Sequence, residues 1–105
     1  GGSTINLPLP KGTDGAEYFR VLARDDEAEI IAFAPESLIL SAGFDTYELD
    51  PIGAFALKTP DFTELGERLG RLKLPTVVVQ EGGYCTEALG HNVAALLHGL
   101  QSAMR

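Results

Sequence analysis

Residues 38–51, LILSAGFDTYELDP, decide how this chain is read. The first part, with its neighbour Ser37, is short and apolar and predicts a strand buried on both faces. The second part turns acidic at Asp45 and carries Glu48 and Asp50 before Pro51. A buried strand that ends in a carboxylate delivers that carboxylate to the carboxyl edge of a sheet. In open α/β sheets that edge is where ligands gather.

Working outward, the pattern is helix, strand, long loop, helix, strand, helix. Upstream, Asp14 can cap a helix with Glu17 three residues later, as in a capping box. That helix is expected to run to about Phe33, with Tyr18, Leu22, Ala28 and Ile31 on one side and Pro35 closing it. Before it, INLPLP is extended, because each Pro pushes its predecessor toward β or polyproline geometry. Downstream, Thr59 and Pro60 read as a cap and first-turn pair. Phe62, Leu65, Leu69 and Leu72 then give the cleanest helical spacing in the chain. LPTVVVQ predicts a second buried strand, EGGY a turn, and a last helix starts near Thr86. Leu89, Val93, Leu96, Leu97 and Leu100 form its apolar face.

Strand, helix, strand in this order makes a parallel sheet with a right-handed crossover the default. The fold class is therefore α/β with a parallel sheet. Two parallel strands apolar on both faces make a poor sheet alone, since such sheets normally have more strands and helices on both sides. The chain reads as part of a larger sheet, or as a unit that completes its sheet with another copy. Its 105 residues suit one domain, 1–105. A domain of this size buries about 60–70% of its unfolded surface.

The net charge of −7 argues against nucleic acid or an anionic membrane as the main partner. It is compatible with a cationic ligand, although most acidic domains are simply soluble. The single cysteine excludes an internal disulfide and fits a reducing cytoplasm. No apolar run approaches the roughly 20 residues of a membrane span. The start GGSTINLPLP has no signal-peptide pattern. Gly-Gly-Ser in place of Met fits tag residues, processing, or a cut from something longer.

Candidate chemistry sits at the two strand ends, GFDTYELD and QEGGYC. Asp45 is either a turn cap or a metal ligand or acid/base group. Asp50 reads as a turn residue and Glu48 as a solvated loop acid. Gly82 and Gly83 have three readings: a tight turn needing positive φ, a phosphate cradle at a helix N-terminus, or space cleared so that Tyr84 enters a pocket. The complete G-x-G-x-x-G pattern and the P-loop Lys are both absent. Cys85 at a helix start invites a nucleophile reading but needs a His base. His91 and His98 lie along the same helix and cannot turn back to it. Two turns apart, they cannot share a metal, and they read as surface or interface residues.

LILSAGFDTYELDPIGAFALKTPDF, LPTVVVQEGGY and ALGHNVAALLHGL, with INLPLPKGTD before them, resemble the C-terminal part of the histone deacetylase and acetylpolyamine amidohydrolase superfamily. DTYELDP and FALKTPDF look more like the acetylpolyamine amidohydrolase branch, since the histone deacetylase branch more usually has Ala-His after the Asp. The resemblance implies an arginase/deacetylase-like α/β fold of which only a C-terminal part is present. It also implies one zinc ion held by two Asp and one His, and hydrolysis of an acetylated polyamine or acetyl-lysine. It places Asp45 on a zinc-ligating Asp, Tyr84 on the tyrosine that stabilises the tetrahedral intermediate, and Gly82 and Gly83 on the pocket wall. Each role is physically sound. Carboxylates ligate zinc at about 2.0–2.2 Å, and a phenol protonated at neutral pH can donate to an oxyanion.

The D-x-H zinc ligands and the paired general-base histidines of the family have no counterpart here. The expectation is therefore a deacetylase portion that is inactive alone, associating with the missing N-terminal part or forming a homo-oligomer. The alternatives are a stand-alone, non-catalytic α/β module that oligomerises through strand edges and apolar helix faces, and an anion- or nucleotide-binding module built on Gly82 and Gly83.

Overall fold

The computed structural model describes residues 6–105. The Gly-Gly-Ser start and the first residue of INLPLP lie outside the described residues. From residue 6 to residue 10 the chain has no regular structure.

The first helical arm consists of α1 (Gly15–Val21), a π-helical turn (Leu22–Glu27) and α2 (Ala28–Phe33). Asp14 caps it, with Oδ1 accepting the Glu17 N–H at 3.0 Å. The capping box is only half formed, because the Glu17 carboxylate pairs with Arg20 instead. Ala34 ends the arm in the left-handed conformation, its N–H shared between the Ile30 and Ile31 carbonyls, and Pro35 follows. The expected apolar side holds for the buried Leu22 and the half-buried Tyr18, and fails for Ala28 and for Ile31, which is 66% exposed. The π turn takes more residues per turn than an α-helix, so it rotates Ile31 out of line with Tyr18 and Leu22.

Next come β1 (Leu38–Gly43), a 3₁₀ turn (Phe44–Thr46), α3 (Thr59–Gly70), β2 (Thr76–Glu81) and α4 (Thr86–Met104). β1 and β2 pair in parallel, from Leu38 opposite Thr76 to Gly43 opposite Glu81. The α/β architecture and the parallel sheet expected from the sequence are both present. Alternation along β1 turns Leu38, Leu40 and Ala42 toward a core that also holds Phe44, Leu57, Phe62, Leu69, Leu96 and Leu100, together with Val78 of β2. The other face is bare: Ile39 is 71% and Val77 60% exposed, with Val79 also exposed. Burial of both strands on both faces is thus corrected. Among the described residues α3 and α4 cover one side of the sheet and nothing covers the other.

α3 and α4 approach so closely that side chains are excluded from the contact. A Cβ on Gly66 would collide with the Leu96 carbonyl oxygen and lie 2.7 Å from the Leu100 nitrogen. A Cβ on Gly99 would strike the Thr63 carbonyl oxygen. Thr59 does not cap α3 as expected. Its hydroxyl donates to Asn92 Oδ1 of α4 at 2.7 Å, while Asp61 Oδ2 accepts the Lys58 N–H at 2.8 Å. Asn92 is buried, so this polar pair pins the start of α3 to the middle of α4. The arm leans on the pair through Arg68, whose guanidinium lies 5.0 Å from the Phe19 ring centroid and pairs with Glu27 and Glu64. Between arm and sheet lies an apolar cavity of about 190 Å³. Burial, with Asp26 adding to it, raises the Tyr18 phenol at its wall above the ordinary range.

Gly66→Ala should destabilise the chain by about 1–3 kcal/mol through overpacking at a contact that cannot part locally. Urea denaturation followed by circular dichroism checks this. Gly90→Ala, in α4 where a Cβ meets nothing within 4 Å, is the control and should instead stabilise by about 0.5–1 kcal/mol.

Candidate active-site crevice

The parallel register places both strand ends at the same level. Gly43 opposite Glu81 is the last pair, so Asp45 emerges beside Gly82. A Cβ on Gly82 would sit 3.2 Å from Asp45 Cγ and 3.4 Å from each of its carboxylate oxygens. The Asp45 carboxylate therefore packs against the backbone of the second strand-end loop. Gly82 and Gly83 have φ of +67° and +112°, values that L side chains rarely adopt. A Cβ on Gly83 would also press to 2.7 Å from Leu89 Cδ1 and 3.0 Å from Phe44 Cβ. The two glycines form a tight turn and leave room at Asp45. Directly after them Tyr84 is about half exposed, its phenol free of a hydrogen bond among the described residues.

The loop between Asp45 and Thr59 is stitched down rather than loose. Glu48 N–H donates to the Leu57 carbonyl at 2.7 Å, Leu57 N–H to Thr46 at 3.0 Å, and Ala56 N–H to Thr13 at 2.7 Å. Gly53 packs against the Asp45 carbonyl with no space for a side chain. Glu48 is exposed, as a solvated loop acid should be.

Asp50 does more than its turn reading foresaw. Oδ1 accepts the N–H groups of Ile52 at 2.9 Å and Gly53 at 3.0 Å, which is the turn. Oδ2 reaches across to accept the Tyr84 N–H at 2.7 Å. Burial alone would raise the Asp50 carboxyl, but the N–H groups of Tyr84, Ile52, Gly53 and Cys85 outweigh it and hold the group below the ordinary carboxylate range. The only sequence signal for this residue was Asp before Pro, which indicates a turn and nothing across the crevice.

Cys85 is half-buried at the start of α4, where its carbonyl accepts the Ala88 and Leu89 N–H groups. His91 and His98 are exposed on α4, as surface residues would be. Among the described residues no group of three or more His, Cys, Asp or Glu is arranged to hold a metal. Asp45 offers one carboxylate to the crevice, which is not a metal site by itself. Nor is any helix among them long and apolar enough to cross a membrane.

The aligned strand ends thus bring Asp45 and, just after the two glycines, Tyr84 to the same edge of a parallel α/β layer. The chain matches the histone deacetylase domain over residues 1–100 and belongs to that family. It is 41% identical over 104 residues to acetylpolyamine amidohydrolase 1 of Pseudomonas aeruginosa, covering 99% of this chain and 30% of that protein. The crystal structure of acetylpolyamine aminohydrolase from Burkholderia pseudomallei superposes with a TM-score of 0.88 at 42% identity, over 94% of this chain and 29% of the other. The HD domain of HDA15 superposes with a TM-score of 0.89 at 26% identity, over 97% and 30%. The chain thus spans about 30% of the length of the curated relatives it matches.

The depressed Asp50 carboxyl fixes the sign of an acid effect. Its stabilising contribution is fully present above the unfolded-state value of about 3.9 and is lost as pH falls through the lower folded-state value. Urea midpoints measured between pH 6 and pH 2.5 should drop in the wild type below about pH 4. Asp50→Asn should start lower and show a shallower drop over the same window.

Proposed function

We propose that this chain is the C-terminal portion of a zinc-dependent deacetylase that hydrolyses acetylated amines, with acetylated polyamines ahead of acetyl-lysine. Its residues 1–105 act as one domain, inactive until the rest of the fold joins it. The observation that carries the reading is the meeting of the Asp45 carboxylate with the Gly82–Gly83 turn at the aligned strand ends, immediately before Tyr84. In this reading Asp45 supplies one donor to a zinc ion whose other protein ligands come from outside the chain. Tyr84 donates a hydrogen bond to the acetyl oxygen as that oxygen gains charge. Gly82 and Gly83 keep the pocket wall at backbone width. The relatives' names, acetylpolyamine amidohydrolase in two bacteria, favour the polyamine branch. The acidic balance of the chain suits a cationic substrate, and its single cysteine suits a reducing cytoplasm.

The bare sheet face supports the same reading. Ile39, Val77 and Val79 form an apolar strip on the side opposite α3 and α4, and further layers of a deacetylase fold would cover it. That strip also favours a second reading, a non-catalytic module that covers it with another copy of itself.

Fusing the upstream part of the Pseudomonas aeruginosa relative to this chain tests the proposal. The 105-residue chain alone should show neither stoichiometric zinc nor turnover of N-acetylated polyamine, and the fusion should show both. In the fusion, Asp45→Ala should lose zinc and Tyr84→Phe should lower kcat by about 10²–10³. Turnover by the isolated chain would overturn the claim of inactivity. A stable dimer of the chain by light scattering, with an inactive fusion, would favour the oligomeric module.

A further inference from the structure

We propose that Asp50 is a positioning residue that locks the Tyr84 main chain to the loop carrying Asp45. The inference rests on the reading of Tyr84 as the oxyanion donor. Tyr84 follows two glycines with positive φ, the backbone type least able to hold its own shape. Its exposed phenol has no hydrogen bond that would orient it among the described residues. The direction of its Cα–Cβ bond is therefore set by the main chain from Gly83 to Cys85. Gly83 is wedged against Leu89 and Phe44, and the Tyr84 N–H is taken by Asp50 Oδ2 at 2.7 Å.

The other Asp50 oxygen is anchored by the Ile52 and Gly53 N–H groups, and Gly53 in turn abuts the Asp45 carbonyl. One carboxylate thus joins the backbone that presents Asp45 to the backbone that presents Tyr84.

The carboxylate form is required on chemical grounds. Both oxygens of Asp50 accept hydrogen bonds, whereas Asn presents one accepting oxygen and one NH₂ donor. Asp50→Asn can keep the turn to Ile52 and Gly53, but then directs an N–H against the Tyr84 N–H. It has nearly the same shape, so it separates the cross-loop bond from packing.

Two measurements test the proposal. By NMR on the 105-residue chain, Asp50→Asn should speed exchange of the Tyr84 amide by about 10-fold or more and shift its proton upfield, leaving Leu69 and Leu96 amides unchanged. In the fusion described above, Asp50→Asn should lower kcat by about 10–100-fold with KM for the acetylated amine nearly constant, as a misplaced donor does. A Tyr84 amide equally protected in the variant overturns the lock. A lost lock with unchanged kcat overturns the positioning role. An inactive wild-type fusion instead overturns the deacetylase reading, and the lock then stands or falls on the amide exchange alone.

Discussion

The parallel pairing of β1 with β2 is the constraint on which the rest of the structure depends. With Gly43 opposite Glu81, the two strands stop at one level and their following loops must meet. A slip of one residue would turn Leu40 and Ala42 away from the core and move Asp45 off Gly82. The hydrophobic pattern that buries Leu38, Leu40, Ala42 and Val78 therefore also sets the crevice geometry. Packing and site are specified by the same alternation.

Above the sheet, α3 and α4 form the second fixed unit. Their backbones touch at Gly66 and Gly99, and the part-buried Thr59–Asn92 hydrogen bond sets their relative height. Because Leu96 and Leu100 of α4 share the core with Phe44, the same helix supports the turn just before Asp45. Leu89, at the start of α4, packs under Gly83. The site is thus braced from below by α4 and from the side by Asp50, and neither brace uses the Asp45 carboxylate or the Tyr84 phenol.

Much of this was legible in the sequence. The two apolar runs and the leucine spacing of α3 and α4 lie within a few residues of the observed elements, because strong periodicity survives any tertiary context. Asp45 and the Gly82–Tyr84 turn were legible as neighbours once the strands were read as parallel. Three features were hidden for physical reasons. Periodicity assumes one helical pitch, so the π turn that swings Ile31 outward left no trace. Local propensity ranks Gly66 and Gly99 as poor helix residues and is silent on a facing backbone that needs their bareness. The reach of Asp50 to Tyr84 depends on strand register, so its local sequence could reveal only the turn. Burial of both sheet faces was an inference from composition, and composition does not say which chain provides the cover.

Arg68 lays an electrostatic latch over an apolar contact. The helical arm from Gly15 to Phe33 buries Phe19, Val21 and Leu22, and this one side chain gathers Glu27, Glu64 and the Phe19 ring beside them. Partly exposed ion pairs of this kind contribute about 0–1 kcal/mol and weaken as salt rises. The unit from β1 to α4 is held instead by close backbone contact and apolar burial, which salt does not loosen. Rising ionic strength therefore weakens the latch, while the apolar burial of Phe19, Val21 and Leu22 and the spacing between the two strand-end loops are left unchanged.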